Sequence, residues 1–131
     1  MNYLTSARKA GTVVLVEPHA PSRIVLHNAL AQHGYRVIQA QGGREAETAA
    51  SKLTTPPQLL ITELVLPDMD GLQLAERLSA RCPRLRLLLV SGDCHDVLFL
   101  NPATAGWADF VRKPIEPQAV VSKVTAMLKA A

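Results

Sequence analysis

Aromatic side chains make up only 4% of this 131-residue chain. A core without them must be built from Val, Leu, Ile and Ala. Hydrophobic residues amount to 48%, enough for one domain of ordinary size. No apolar run is long enough to cross a bilayer. The stretch from Met1 to Gly11 has no apolar segment of signal-peptide type and reads as a loose leader before a domain over 12–131. Cysteine is scarce. Cys82 and Cys94 fit no metal or redox spacing and read as plain thiols of a reducing, cytoplasmic compartment. Internal repeats and low-complexity tracts are missing. The net charge is only +3, and its positive residues are scattered except for Arg77, Arg81, Arg84 and Arg86 around one helix end. A helix C-terminus and a solvated face account for those four, so direct nucleic-acid binding is not expected.

What is present is alternation. Thr12 to Val16 is a continuous β-branched run suited to a strand buried on both faces. A helix follows, with Pro21 in its first turn, an apolar stripe of Val25, Leu26, Ala29 and Leu30, and Gly34 at its end. Further strands are read at Tyr35 to Gln39, Gln58 to Thr62, Leu85 to Val90 and Trp107 to Val111. A polar helix from Arg44 to Leu53 is stopped by Pro56-Pro57, and Leu72, Leu74, Ala75 and Leu78 mark another. The last helix follows Pro117 and carries Val120, Val121, Val124 and Leu128. The unit from Asp93 to Ala105 is interrupted by Asn101-Pro102, which predicts a short or irregular fourth helix. Five strands alternating with helices predict an α/β, flavodoxin-like (βα)5 sandwich with a parallel sheet in the order 2-1-3-4-5.

In such sheets ligands gather beyond the carboxyl ends of the strands. Glu17, Pro18 and His19 follow the first strand, and Glu63 follows the third. Ser91-Gly92 follows the fourth, and Lys113-Pro114 the fifth. Two acids, a hydroxyl and a lysine on one rim suit a phosphoryl group or a cation. Each also has a plainer reading. Ser91-Gly92 is an ordinary turn pair. His19 reads as polar surface, and Asp68 and Asp70 read as local turn residues.

The segments Leu66-Pro67-Asp68-Met69-Asp70-Gly71, Val90-Ser91-Gly92 and Val111-Arg112-Lys113-Pro114 together resemble the receiver domains of response regulators, from about Thr12 to Lys129. The Ser91-Gly92 turn and the Lys113-Pro114-Ile115 ending look most like receivers attached to hybrid sensor kinases. The resemblance implies an acidic pair and an acceptor Asp that hold Mg²⁺, a hydroxyl and a lysine that contact the phosphoryl group, and an aromatic switch. It also implies a cis Lys113-Pro114 bond. Residue by residue, Glu63 stands at the acceptor, Ser91 and Lys113 at the phosphate contacts and Phe110 at the switch. Glu17 and Glu63 stand at the metal.

The chain departs from that pattern at Pro18, where an acid is missing, at Glu63, where Asp is usual, and at Phe110, which has no hydroxyl. Metal binding is therefore expected to be weak or absent. The expected function is an atypical, non-enzymatic receiver in a two-component phosphorelay. It would act through protein contacts with a sensor histidine kinase or another two-component protein, with a weak homodimer as a further expectation. One alternative keeps slow phosphorylation on Glu63. Another is a small flavodoxin-like enzyme or nucleotide binder, against which Glu17-Pro18-His19-Ala20-Pro21 is nothing like a Gly-rich phosphate loop.

Overall fold

Apolar runs with no polar face cannot lie on a surface, so they pair with one another and are covered on both sides. The computed structural model describes residues 11–92 and 107–129. In them the chain runs β1 (Thr12–Val16), α1 (Ala20–Gln32), β2 (Arg36–Ala40), α2 (Gly43–Ser51) and β3 (Leu59–Glu63). It continues through α3 (Gly71–Arg81), β4 (Arg86–Ser91), β5 (Ala108–Arg112) and α4 (Pro117–Lys129). The sheet order is β2-β1-β3-β4-β5 and every pairing is parallel. The leader before Gly11 and the expected irregular helix between β4 and β5 lie outside the described residues. Among those described, no helix is long and apolar enough to cross a membrane.

The period of two along each strand divides the core into halves. Val13, Leu15, Leu59, Ile61, Leu88 and Val90 face α1 and α4, where Leu26, Leu30, Val120 and Val124 meet them. Val14, Val16, Leu60 and Leu87 face the other way, against Ala46 of α2 and Leu74, Ala75 and Leu78 of α3. Cys82 belongs to this second half, and burial pushes its thiol pKa up. Val25 departs from its expected place, since it is 50% exposed while Leu26, Ala29 and Leu30 are buried. Three residues at that spacing already define the buried face, and Val25 lies about 100° round the helix from Leu26. Gly34 closes α1 with φ +89°, a conformation that favours glycine.

Strands β2 to β5 each start and end one residue later than the sequence reading placed them. Tyr35 and Leu85 are buried just ahead of their ladders, so apolar character begins before pairing does. Pairing then runs on into the polar rim, to Glu63 opposite Val90 and Ser91 opposite Arg112.

One contact across the structure corrects the sequence reading. The N-cap residue of α2, Gly42, has no side chain to offer. Asp68, in the turn after β3, supplies the cap instead. Its two carboxylate oxygens accept from the backbone N–H groups of Gly43 and Arg44, both at 2.9 Å. Of the two turn acids only Asp70 acts locally, accepting from Leu72 N at 2.6 Å as the N-cap of α3. The Arg44 and Gly43 N–H groups hold the Asp68 carboxyl below its ordinary value of 3.8. An acid shifted down stabilises the fold fully above its unfolded pKa, and that contribution is lost as pH falls through the lowered folded value. Asp68→Ala should therefore lower Tm at neutral pH. The gap to wild type should narrow below about pH 3.8. Thermal denaturation followed by circular dichroism across pH 2 to 7 checks this (about that range spans the carboxylate titration), and a gap that does not change with pH would remove Asp68 as the cap.

Candidate functional site

The parallel register brings residues far apart in sequence to one edge. Glu17 continues directly from β1, its N–H bonded to Ala40 O at 3.0 Å. It is only 3% exposed, and its Oε2 accepts from His19 N at 2.9 Å. Arg23 reaches back from α1 to donate to the Glu17 carbonyl at 2.7 Å. His19 is the N-cap of α1, with its Nδ1 facing Ser22 Oγ at 2.8 Å. That role was missed because His is not among the usual capping residues.

Glu63 is the last residue of β3, with its side chain 18% exposed. The backbone behind it is tightly held. Gly71 N donates to Leu64 O at 2.6 Å, and a Cβ on Gly71 would collide with the Glu63 carbonyl oxygen. Glycine is thus required there by the close approach of two backbone segments. The turn between them is pinned by Leu66 N to Met69 O at 3.1 Å.

Lys113 follows β5, two strands away from β3. Two strand spacings are about 10 Å, a gap that only long side chains bridge. The Lys113 ammonium bridges it and pairs with Glu63 Oε1. The lysine side chain is 42% exposed, so the pair sits at the mouth of the rim. The Lys113-Pro114 bond is cis, as the receiver resemblance implied. Ser91 ends β4 between these two strands, in register with Arg112, and its side chain lies outside what the structure describes. Phe110 pairs with Leu89 on β5 and is half-buried. The structure thus brings Glu17, Glu63, the Ser91 backbone and Lys113 to the carboxyl end of the sheet.

The profile of the response regulator receiver domain matches residues 13–125. This chain belongs to the receiver family. It is 31% identical over 126 residues to the sensor kinase CckA of Brucella abortus, a match covering 95% of this chain and 13% of that protein. It is also 31% identical over 121 residues to the response regulator receiver protein CpdR of the same organism, covering 91% of this chain and 98% of that one. The solved receiver domain of the hybrid histidine kinase CckA superposes with a TM-score of 0.74 at 25% identity, covering 90% of this chain and 99% of that one. The chain therefore spans nearly all of a small receiver protein and a minor part of a long kinase. Receiver domains are signalling modules that interact with histidine kinases and other two-component proteins.

A receiver's Mg²⁺ requires several hard oxygens in near-octahedral array. This receiver's donor set does not fit it. Pro18 brings no side-chain oxygen. One Glu17 oxygen holds the His19 N–H, and one Glu63 oxygen holds the Lys113 ammonium. Among the described residues no group of three or more His, Cys, Asp or Glu is placed to share an ion. Calorimetric titration of the receiver with MgCl₂ should give negligible heat at low millimolar concentration. Pro18→Asp should restore measurable binding, because it adds a carboxylate beside Glu17. Submillimolar affinity in the unmodified protein would contradict this reading of the site.

Proposed function

We propose that this receiver signals through protein contacts while its rim is held in one charged state by Glu63, without a cycle of Asp phosphorylation. The observation that carries the proposal is the Glu63–Lys113 ion pair. Glu reaches about 1.5 Å farther than Asp, roughly one carbon–carbon bond. That reach favours the lysine across β4 and imitates part of the charge of a phosphoaspartate. The imitation is partial, because one carboxylate replaces a phosphoryl group with a charge of about −1.5 to −2. The same pairing engages one of the two Glu63 carboxylate oxygens, and the metal that would neutralise a phosphoryl transfer has few ligands here.

The partner is a cytoplasmic sensor histidine kinase or another two-component protein. A surface for it adjoins the rim. Pro21, Val25, Leu26, Ile115 and Pro117 line a cleft of about 280 Å³ between α1 and the start of α4. Ile24 beside it is 53% exposed, and Val65, two residues after Glu63, is 78% exposed. Apolar side chains left bare next to a charged rim suit a protein partner that reads both.

Two measurements on the receiver test the proposal. Incubation with acetyl phosphate and Mg²⁺, followed by intact mass spectrometry, should leave the mass unchanged. Glu63→Gln should shift the amide resonance of Phe110 and weaken binding to the sensor histidine kinase or two-component protein that the receiver captures by at least about threefold, as expected when a charge that biases two conformations is removed. A phosphoryl adduct that disappears in Glu63→Gln would establish Glu63 as a slow acceptor instead. Unchanged resonances and affinity would leave Glu63 with no signalling role.

A further inference from the structure

Helix α1 differs from its neighbours in having no charged outer face. The outward sides of α2 and α3 carry Arg44, Glu45, Glu76 and Arg77, all exposed. Along α1 the exposed side is Pro21, Ile24, Val25, Asn28, Ala31 and Gln32, with no formal charge among them. Arg23 is the one permanently charged residue of this helix, and its guanidinium turns back to donate to the Glu17 carbonyl at 2.7 Å.

Ile24, at 53% exposure, and Val25, at 50%, stand side by side on this face, large apolar groups left in water. The opposite side of the helix buries Leu26, Ala29 and Leu30 in the core. A helix with a core face and a charged face belongs at a surface, whereas one that is uncharged all round is normally covered. Ile24, Asn28 and Ala31 follow one another at helical spacing, as do Val25, Asn28 and Gln32. Asn28 therefore sits at the middle of the face.

We propose that this face meets the same face of a second copy of the chain, in a weak antiparallel twofold dimer through α1. A twofold contact sets a surface against itself, so a charge at its centre would face its own like. The α1 face has no charge to oppose, and it offers a charged partner nothing to pair with. With Asn28 at the axis, Val25 of one copy packs against Ala31 of the other, large against small, and Ile24 packs against the stem of Gln32. The Asn28 amide has both donors and an acceptor, so the two copies satisfy each other. A single Asn buried between helices in this way fixes their register. The helix is about 20 Å long, and one such helix pair buries less than the roughly 1,200–2,000 Å² of a stable complex. The contact is therefore weak, with a Kd on the order of 0.1 mM. Val25 also lines the cleft between α1 and α4. A two-component partner seated there and the dimer would exclude each other, a consequence that rests on the proposed function while the dimer itself does not.

Sedimentation equilibrium on the full chain, with no partner present, tests the dimer apart from the signalling role. A reversible monomer–dimer equilibrium is expected. Raising NaCl from about 0.05 to 0.5 M should not weaken it, since no charges meet. Asn28→Asp sets two carboxylates together at the axis and should weaken association at least about tenfold at neutral pH, and Asn28→Lys should do the same with two ammonium groups. Mixing the two variants should restore association as a heterodimer, which also shows that each is folded. The proposal is overturned if the protein stays monomeric at about 1 mM, or if its self-association falls steeply with salt. It is equally overturned if neither Asn28 variant weakens the dimer, or if the mixture of the two associates no better than each alone.

Discussion

A single ion pair spans two strand spacings at the carboxyl end of the sheet, and the character of the rim depends on it. Glu63 and Lys113 are fifty positions apart in the chain. They meet because β3, β4 and β5 run parallel in fixed register, with Glu63 opposite Val90 and Val90 opposite Val111. That register in turn rests on strands buried on both faces, where a slip of one residue would exchange the two halves of the core. The Gly71 contact behind Glu63 and the cis bond after Lys113 belong to the backbone on which the two side chains are mounted. The pair does not need great strength to matter. It needs only to exist in the resting protein, because it fixes where one Glu63 oxygen and the Lys113 ammonium lie on the rim.

The two ends of the sheet differ in kind. The rim is nearly balanced in charge, with Glu17 buried and Glu63 paired. At the opposite end Arg84 is exposed and Trp107 is partly buried against the second half of the core. Between them the described core is mostly aliphatic, with Tyr35 in one half and Cys82 in the other. Apolar side chains left bare around α1 and at Val65 lie on the rim side, consistent with a protein surface there.

Much of this was legible in the sequence because it follows from period and punctuation. β1 reads directly as Thr12–Val16, since a β-branched run between Gly11 and Glu17 has no other use. The order of the sheet and the meeting of Glu63 with Lys113 follow from strand–helix alternation and from the receiver likeness. What was not legible depends on contacts between distant segments. Asp68 looks like a turn residue until α2 is seen to start beside it with a glycine at its cap. His19 has no sequence mark of a cap, and Arg23 none of a clasp on Glu17. The strand limits shifted because burial starts before pairing, at Tyr35 and Leu85. Val25 was read into the stripe of α1 although the neighbouring turn of the helix leaves it outside.

The measurement that bears most directly on the closed rim is a double-mutant cycle in the free protein. Urea denaturation of wild type, Glu63→Gln, Lys113→Met and the double variant yields the coupling between the two side chains. Lys113 is 42% exposed, so solvent screening keeps the expected value modest. The account predicts a favourable coupling of roughly 0.5–1 kcal/mol that shrinks on adding salt. Strictly additive effects, with no salt dependence, would mean that the two charges do not hold each other in solution and that the rim is open.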